Sequence, residues 1–404
     1  MPEIASFRGT LYDPSRVELA KLVGAPVDAV AAGFAASLAS GALVRDPYKA
    51  IYRHVQHFRD VDGRQRSRRG FLAAVRLGAA GDGRVLSHQR LLGPVRDARL
   101  TLARATAADL APVTAVYADA SGEVERVLKP TEGRPPVIDV TTADGVRHVV
   151  WRLNDAELVG KVRRAMVPKK LLIVDGHHRY AAMVARRDQL AAEGSGLSQY
   201  SSGHYGLMLL VSQSDDGLGL VPRHRLLTGL TGFDPATLLA RARELFVIEP
   251  VAGAARDPAA VRRALADVPG HQAAMVVAFP GQADGWRLML DPHIDPASFG
   301  VAGHPIAIRT DVALLHGLVL DRILGLGPAA QDAGSHLRYV TDLAEAQAAL
   351  AGHQAAFFLA PMPLDTVRNI AEHGDTLPAR AAVPQPRAAA GLVFHTVDPD
   401  EDLA

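Results

Sequence analysis

The stretch Leu171-Leu172-Ile173-Val174-Asp175-Gly176-His177-His178-Arg179-Tyr180, continuing into Ala181-Ala182-Met183-Val184-Ala185, decides the reading of this chain. Four aliphatic residues predict a buried strand, Gly176 a sharp turn, and the Ala-rich run a helix that starts at once. The first N–H groups of a helix have no acceptor within it, and the helix dipole makes that end electropositive. His177, His178 and Arg179 add side-chain donors around the same point. Taken singly, Asp175 reads as a cap and the histidines as packed rings. Together they have no packing reason to stand in one string. This is an arrangement for an anion, with phosphate the natural candidate. Asp175, at the strand's carboxyl end, is placed to hold Mg²⁺ or to accept a proton. Adjacent histidines project about 100° apart on a helix, which argues against a shared zinc ion.

Working outward, two further basic clusters sit at element boundaries. His88-Gln89-Arg90 precedes a helix expected over 96–108 that carries Arg96 and Arg99, and Arg223-His224-Arg225 ends a strand. With the central turn they suggest a polyphosphate cradle of Gly176, His177, His178, Arg179, His88, Arg90, Arg96, Arg99, His224 and Arg225. Elsewhere, residues 15–42 read as two helices separated by Pro26, and 50–77 as a β-hairpin turning at Asp62-Gly63. The positive run Arg64–Arg69 reads as its solvated tip, with phosphate contact as the sharper option. Short strands are expected over 120–150, a helix over 155–166 capped by Asn154, and a loop over 194–203. A strand over 205–211 follows, then a second lobe from about 230 with a helix over 309–324 and a strand over 355–359. The Pro/Ala-rich 378–390 segment reads as an extended surface strap. Gly325-Leu326-Gly327 imitates a dinucleotide fingerprint but follows a helix, so it reads as a helix stop.

The 404 residues contain no cysteine, which excludes disulfides, thiolate metal sites and a Cys nucleophile. Lys+Arg number 44 and Asp+Glu 43, so the charge of +1 argues against a protein that coats nucleic acid. No run of eighteen apolar residues and no secretory h-region is present, so the expectation is a cytoplasmic protein with no membrane association. Aromatic residues make up only 5%, which leaves the core to aliphatic side chains. Gly-x-Ser-x-Gly, His-Glu-x-x-His and P-loop motifs are all missing.

Val174-Asp175-Gly176-His177-His178-Arg179-Tyr180-Ala181-Ala182 resembles the hallmark of a widespread bacterial and archaeal family of unknown function, DUF 1015, in the ParB/sulfiredoxin-like superfamily. Phe7-Arg8-Gly9, Tyr12-Asp13-Pro14, Tyr52 through Phe58, Arg69-Gly70-Phe71, His88 with Arg90, Arg104-Ala105-Thr106, Pro222 with His224-Arg225, and Gly391-Leu392 follow in the family's order. The resemblance implies an α/β (mixed α+β) fold: a nucleotide-binding core over 1–230 and a C-terminal α/β lobe over 231–404. Its best-understood relatives are free-serine kinases, which make O-phosphoserine from serine and a nucleotide. Carried over, His177, His178 and Arg179 would grip phosphates, and Asp175 would assist metal or acceptor. Three departures stand near that centre. The family's Pro-Tyr-Asp-Val-Ile is Pro26-Val27-Asp28-Ala29-Val30, its His-Glu is His88-Gln89, and its Asp-Arg is Ala98-Arg99. A segment after Val30 is missing, and Arg380-Ala381-Ala382-Val383-Pro384 replaces Lys-Ser-Thr-Tyr-Phe.

The expected function is therefore a kinase using ATP or ADP with Mg²⁺ on a small hydroxylated metabolite, serine or a serine-like amino acid first. Asp175, Asp28 and His178 are its catalytic candidates. Loss of the Gln89-position carboxylate supports the alternative, a binder of a nucleotide or phosphorylated metabolite without transfer. A DNA-linked switch, by analogy with ParB, is opposed by the balanced charge.

Overall fold

The hairpin read over 50–77 is present, and it is the spine of the largest sheet. In this computed structural model, residues 3–78, 82–193, 197–268 and 273–403 are described. The strands of that sheet are β1 (Ile4–Ala5), β2 (Ile51–Arg59), β3 (Gln65–Arg76), β4 (Val85–Leu86), β5 (Val113–Tyr117), β6 (Ile138–Thr141), β7 (Arg147–Leu153), β8 (Leu171–Asp175) and β9 (Tyr205–Ser212). They run in the order β4-β8-β5-β9-β3-β2-β7-β6, with β1 added against β3. The β8–β4 and β9–β5 pairs are parallel and the others antiparallel, so the class is mixed α/β.

Side chains alternate between the faces of a strand, and residues opposed across a ladder share a face. Phe71, Ala73 and Val75 therefore point one way, into a core with Ile173, Leu210 and Val162. Arg68 points the other way, opposite Gln56, which in turn opposes His148. The aliphatic face is covered by helices that include α5 (Ala156–Met166), whose Val159, Val162, Ala165 and Met166 are buried.

The chain divides into two compact units. One comprises residues up to Ser87, Leu91–Gly219 and Pro384 onward; the other His88–Arg90 and Leu220–Val383. The expected boundary near 230 thus falls at 219–220, and the last segment returns to the first unit. Phe394 is what brings it back. It packs edge-on against Tyr12 and Phe34, with ring centroids 5.5 and 5.3 Å away. The second unit is built on an antiparallel sheet of β10 (His224–Leu227), β11 (Phe246–Val251), β12 (Ala274–Ala278), β13 (Gly285–Leu290), β14 (Leu337–Val340) and β15 (Ala355–Leu359), ordered β11-β13-β12-β15-β10-β14.

Several local expectations are corrected. Arg64–Arg69 is not a solvated tip: the turn closes at Asp60–Arg64, and β3 already starts at Gln65. Residues 123–128 are helical, with strands only from Ile138. The cap of α5 is Asp155, whose carboxylate accepts the Leu158 N–H at 3.0 Å, rather than Asn154. The 378–390 segment is no surface strap: Ala381, Ala382, Val383, Ala389 and Ala390 are buried. The helix over 309–324 is wound more widely after Leu314, and Gly325 (φ +70) ends it as read. Within the loop over 194–203, residues 194–196 lie outside the described residues.

Candidate functional site

The central string folds as read. Buried β8 ends at Asp175, Gly176 takes φ +91, and α6 (His177–Ala192) begins. Only glycine suits this junction. Its φ is left-handed, and a Cβ there would stand 2.9 Å from Nε and Nη2 of Arg179, which folds back over the turn. The Tyr180 N–H closes the first helical bond on the Gly176 carbonyl at 2.9 Å.

Asp175 is buried and lies between two guanidinium groups. Arg179 Nη2 donates to Oδ2 at 3.0 Å, and Arg387 Nη2 donates to both oxygens at 3.0 and 3.2 Å. Burial alone would raise this carboxyl, but Arg179, then Arg387, with a smaller contribution from His177, hold it at about 2. Such a carboxylate is a weak base.

Arg387 comes from the last segment of the chain, which no sequence pattern tied to this turn. Arg68 was missed in the same sense. It is 1% exposed, and its Nε and Nη2 donate to Gln56 Oε1 at 2.9 and 2.5 Å. Nη2 also donates to the Pro386 carbonyl, one residue from Arg387. Nη1 is buried without an acceptor, and among the described residues no carboxylate lies within ion-pair distance. A buried guanidinium without a counter-ion is costly, so an anionic partner would stabilise it. Its nearest acidic influences are Asp215 and Asp175. The signal for Arg68 was the period of two running back from Leu72 through Gly70, obscured by the surrounding charges.

The remaining candidates of the first unit are placed as follows. His177 is buried. His178 Nε2 accepts the Leu92 N–H at 2.8 Å, which makes that nitrogen unprotonated and ties α6 to the start of α3 (Gly93–Thr106). Arg99, on α3, lies near enough to Arg179 to oppose its charge and pairs with Asp28 at 3.4 Å. Asp28 itself is exposed. Arg96 pairs with its neighbour Asp97 on the same exposed surface. A small cavity of about 40 Å³ lies beside the turn, lined by Val27, Arg99, Leu102, Asp109, Arg179 and Met183.

The other four candidates belong to the second unit. Arg90 makes a two-pronged pair with Asp332 at 2.9 and 2.6 Å. His224 Nδ1 accepts the Leu359 N–H at 3.3 Å, and burial lowers this imidazole to about 4. His88 is buried, and Arg225 is fully so. Among the described residues no three acidic or histidine side chains converge as metal ligands.

The site is thus a mixed α/β core in which a buried strand, a Gly turn and a helix opening on basic residues follow one another. The chain belongs to the family described as protein of unknown function (DUF1015), whose model matches residues 7–300. Among solved structures it is similar to a free serine kinase in complex with AMP (11% identity, 76% of this chain, 88% of that chain, TM-score 0.38). It is also similar to a conserved hypothetical protein from Pyrococcus furiosus (11%, 76% and 90%, TM-score 0.37). A third is SbnI from Staphylococcus aureus with a C-terminal truncation (10%, 82% and 90%, TM-score 0.39). No curated protein matches the chain.

Proposed function

We propose that this protein binds the phosphate of a nucleotide, ATP or ADP, at the start of α6. One observation carries the reading. Arg179 and Arg387 share the Asp175 carboxylate, and buried Arg68, with only the more distant influence of Asp215 and Asp175, adds a third guanidinium, leaving an excess of positive charge at a helix N-terminus. A phosphate entering there competes with Asp175 for Arg179 and Arg387 and meets the charge of Arg68. The free serine kinase whose fold is similar is described with AMP, in keeping with this reading.

The residues do not fit a resident Mg²⁺. The one carboxylate at the turn is shared by two guanidiniums, and among the described residues no group of three acidic or histidine side chains could hold a metal. No step is routed through a metal.

Phosphoryl transfer to a small hydroxylated acceptor, with serine or a serine-like amino acid first, is the second reading. The observation favouring it is Asp28, which is linked through Arg99 to the cavity that Arg179 also lines. Transfer relies on positioning and charge neutralisation more than on covalent help, which suits this cluster. The acceptor hydroxyl would lose its proton to Asp28, since Asp175 is held too acidic and His178 Nε2 is engaged.

Calorimetric titration with AMP, ADP and ATP tests the binding. Incubation with ATP or ADP, Mg²⁺ and a panel of hydroxy amino acids then tests transfer. Binding with the nucleotide recovered unchanged establishes the non-catalytic binder; turnover abolished by Asp28→Asn establishes the kinase.

A further inference from the structure

A charged cluster in the second unit is used by none of this. Arg225 on β10 is 0% exposed, yet among the described residues no carboxylate lies within ion-pair distance of it. Its Nη2 donates to the Arg380 carbonyl at 3.4 Å and lies 3.3 Å from His316 Nε2, while Nε is buried without an acceptor. His316 supplies no counter-charge, since an imidazole is neutral or cationic, and burial and Arg225 hold it neutral, down at about 3. Asp311 acts on Arg225 only from a distance, and its carboxylate accepts the N–H groups of Val312 and Ala360 at 2.6 and 2.9 Å.

A second guanidinium shares an aromatic neighbour with Arg225. The Arg225 and Arg380 groups stand 5.3 and 4.7 Å from the centre of one ring, Tyr339. Among the described residues Arg380 makes no ion pair, and it is one of two non-glycine residues with a left-handed backbone, φ +62. Strain of this kind persists where the surroundings require it. Arg223 adds a further positive influence on Arg225. Two cations on one aromatic ring, one of them wholly buried, form a receptor lacking its anion.

We propose that Arg225, Arg380 and Tyr339 form an oxyanion-binding site within the second unit, with phosphate as the ligand. A dianion neutralises both guanidiniums at once, whereas a single carboxylate leaves one uncompensated. The probe is inorganic phosphate, with acetate in parallel, titrated into the full chain carrying Arg179→Met so that the α6 turn is weakened as a binder. Phosphate is expected to bind and acetate not, and adding Arg380→Ala is expected to weaken phosphate at least about tenfold. Arg225→Met serves as the control for folding. It is expected to raise the Tm without phosphate, by removing an uncompensated charge, and to abolish the rise in Tm that phosphate gives. A lower Tm with the phosphate effect intact would make Arg225 a structural cation and overturn the site. Acetate binding in preference to phosphate, or phosphate binding indifferent to Arg380→Ala, would also overturn it. Loss of nucleotide binding at Arg179 bears only on the first unit's turn, so the two readings fail separately.

Discussion

Gly176 and Asp175 show how much a single position sets. At Gly176 the conformation is left-handed and Arg179 occupies the space of a Cβ, so Gly176→Ala both strains the turn and displaces the guanidinium. The expected cost is about 1–2 kcal/mol in denaturant melts. Nucleotide affinity is expected to fall with it; unchanged affinity would separate Arg179 from binding. Asp175 gives a pH prediction. Its carboxyl is held at about 2 in the folded chain against 3.8 ordinarily, so the folded state binds its proton less readily. The resulting stability, about 2 kcal/mol, is present above pH 4 and is lost as pH falls from about 4 to about 2. Arg387→Ala is expected to remove about 1 kcal/mol of it at neutral pH and to flatten the acid limb of the stability profile. An unaltered limb would show that Arg387 does not hold Asp175 in solution.

At the scale of elements, the strand–turn–helix around Gly176 was readable because aliphatic run, glycine and helix former follow within ten residues. The hairpin was readable from its period of two. Arg68 was not, since four arginines within six residues look like a solvated loop although alternate positions of β3 face inward. Arg387 was invisible for another reason: it meets Asp175 from 212 residues further along, a pairing that local pattern cannot encode. The clusters at His88 and His224 fall to the second unit and the turn to the first, a division that local pattern does not encode. Placement on β3 makes its own prediction. Arg68→Met keeps the strand and removes an uncompensated buried charge, so the unliganded protein is expected to be as stable as wild type or more so. Nucleotide binding is expected to weaken; a large loss of stability with binding unchanged would assign Arg68 a purely structural role.

At the scale of the whole molecule, the second unit leaves the first at 219–220 and rejoins it at 383–384, where strand Leu220–Pro222 pairs with strand Ala382–Pro384. Each unit has its own sheet and core, and among the described residues no helix is long and apolar enough to cross a membrane. Scanning calorimetry is expected to resolve two transitions, of which ADP raises the one belonging to the first unit; one transition raised as a whole would show the units to melt together. The central claim is that a nucleotide phosphate docks where β8 passes into α6. Its most direct measurement is calorimetric titration of ADP into the wild-type chain and into Arg179→Met. Saturable binding in the first and at least about tenfold weaker binding in the second is the predicted result. Equal affinity in the two, or no binding to the wild-type chain, would contradict it.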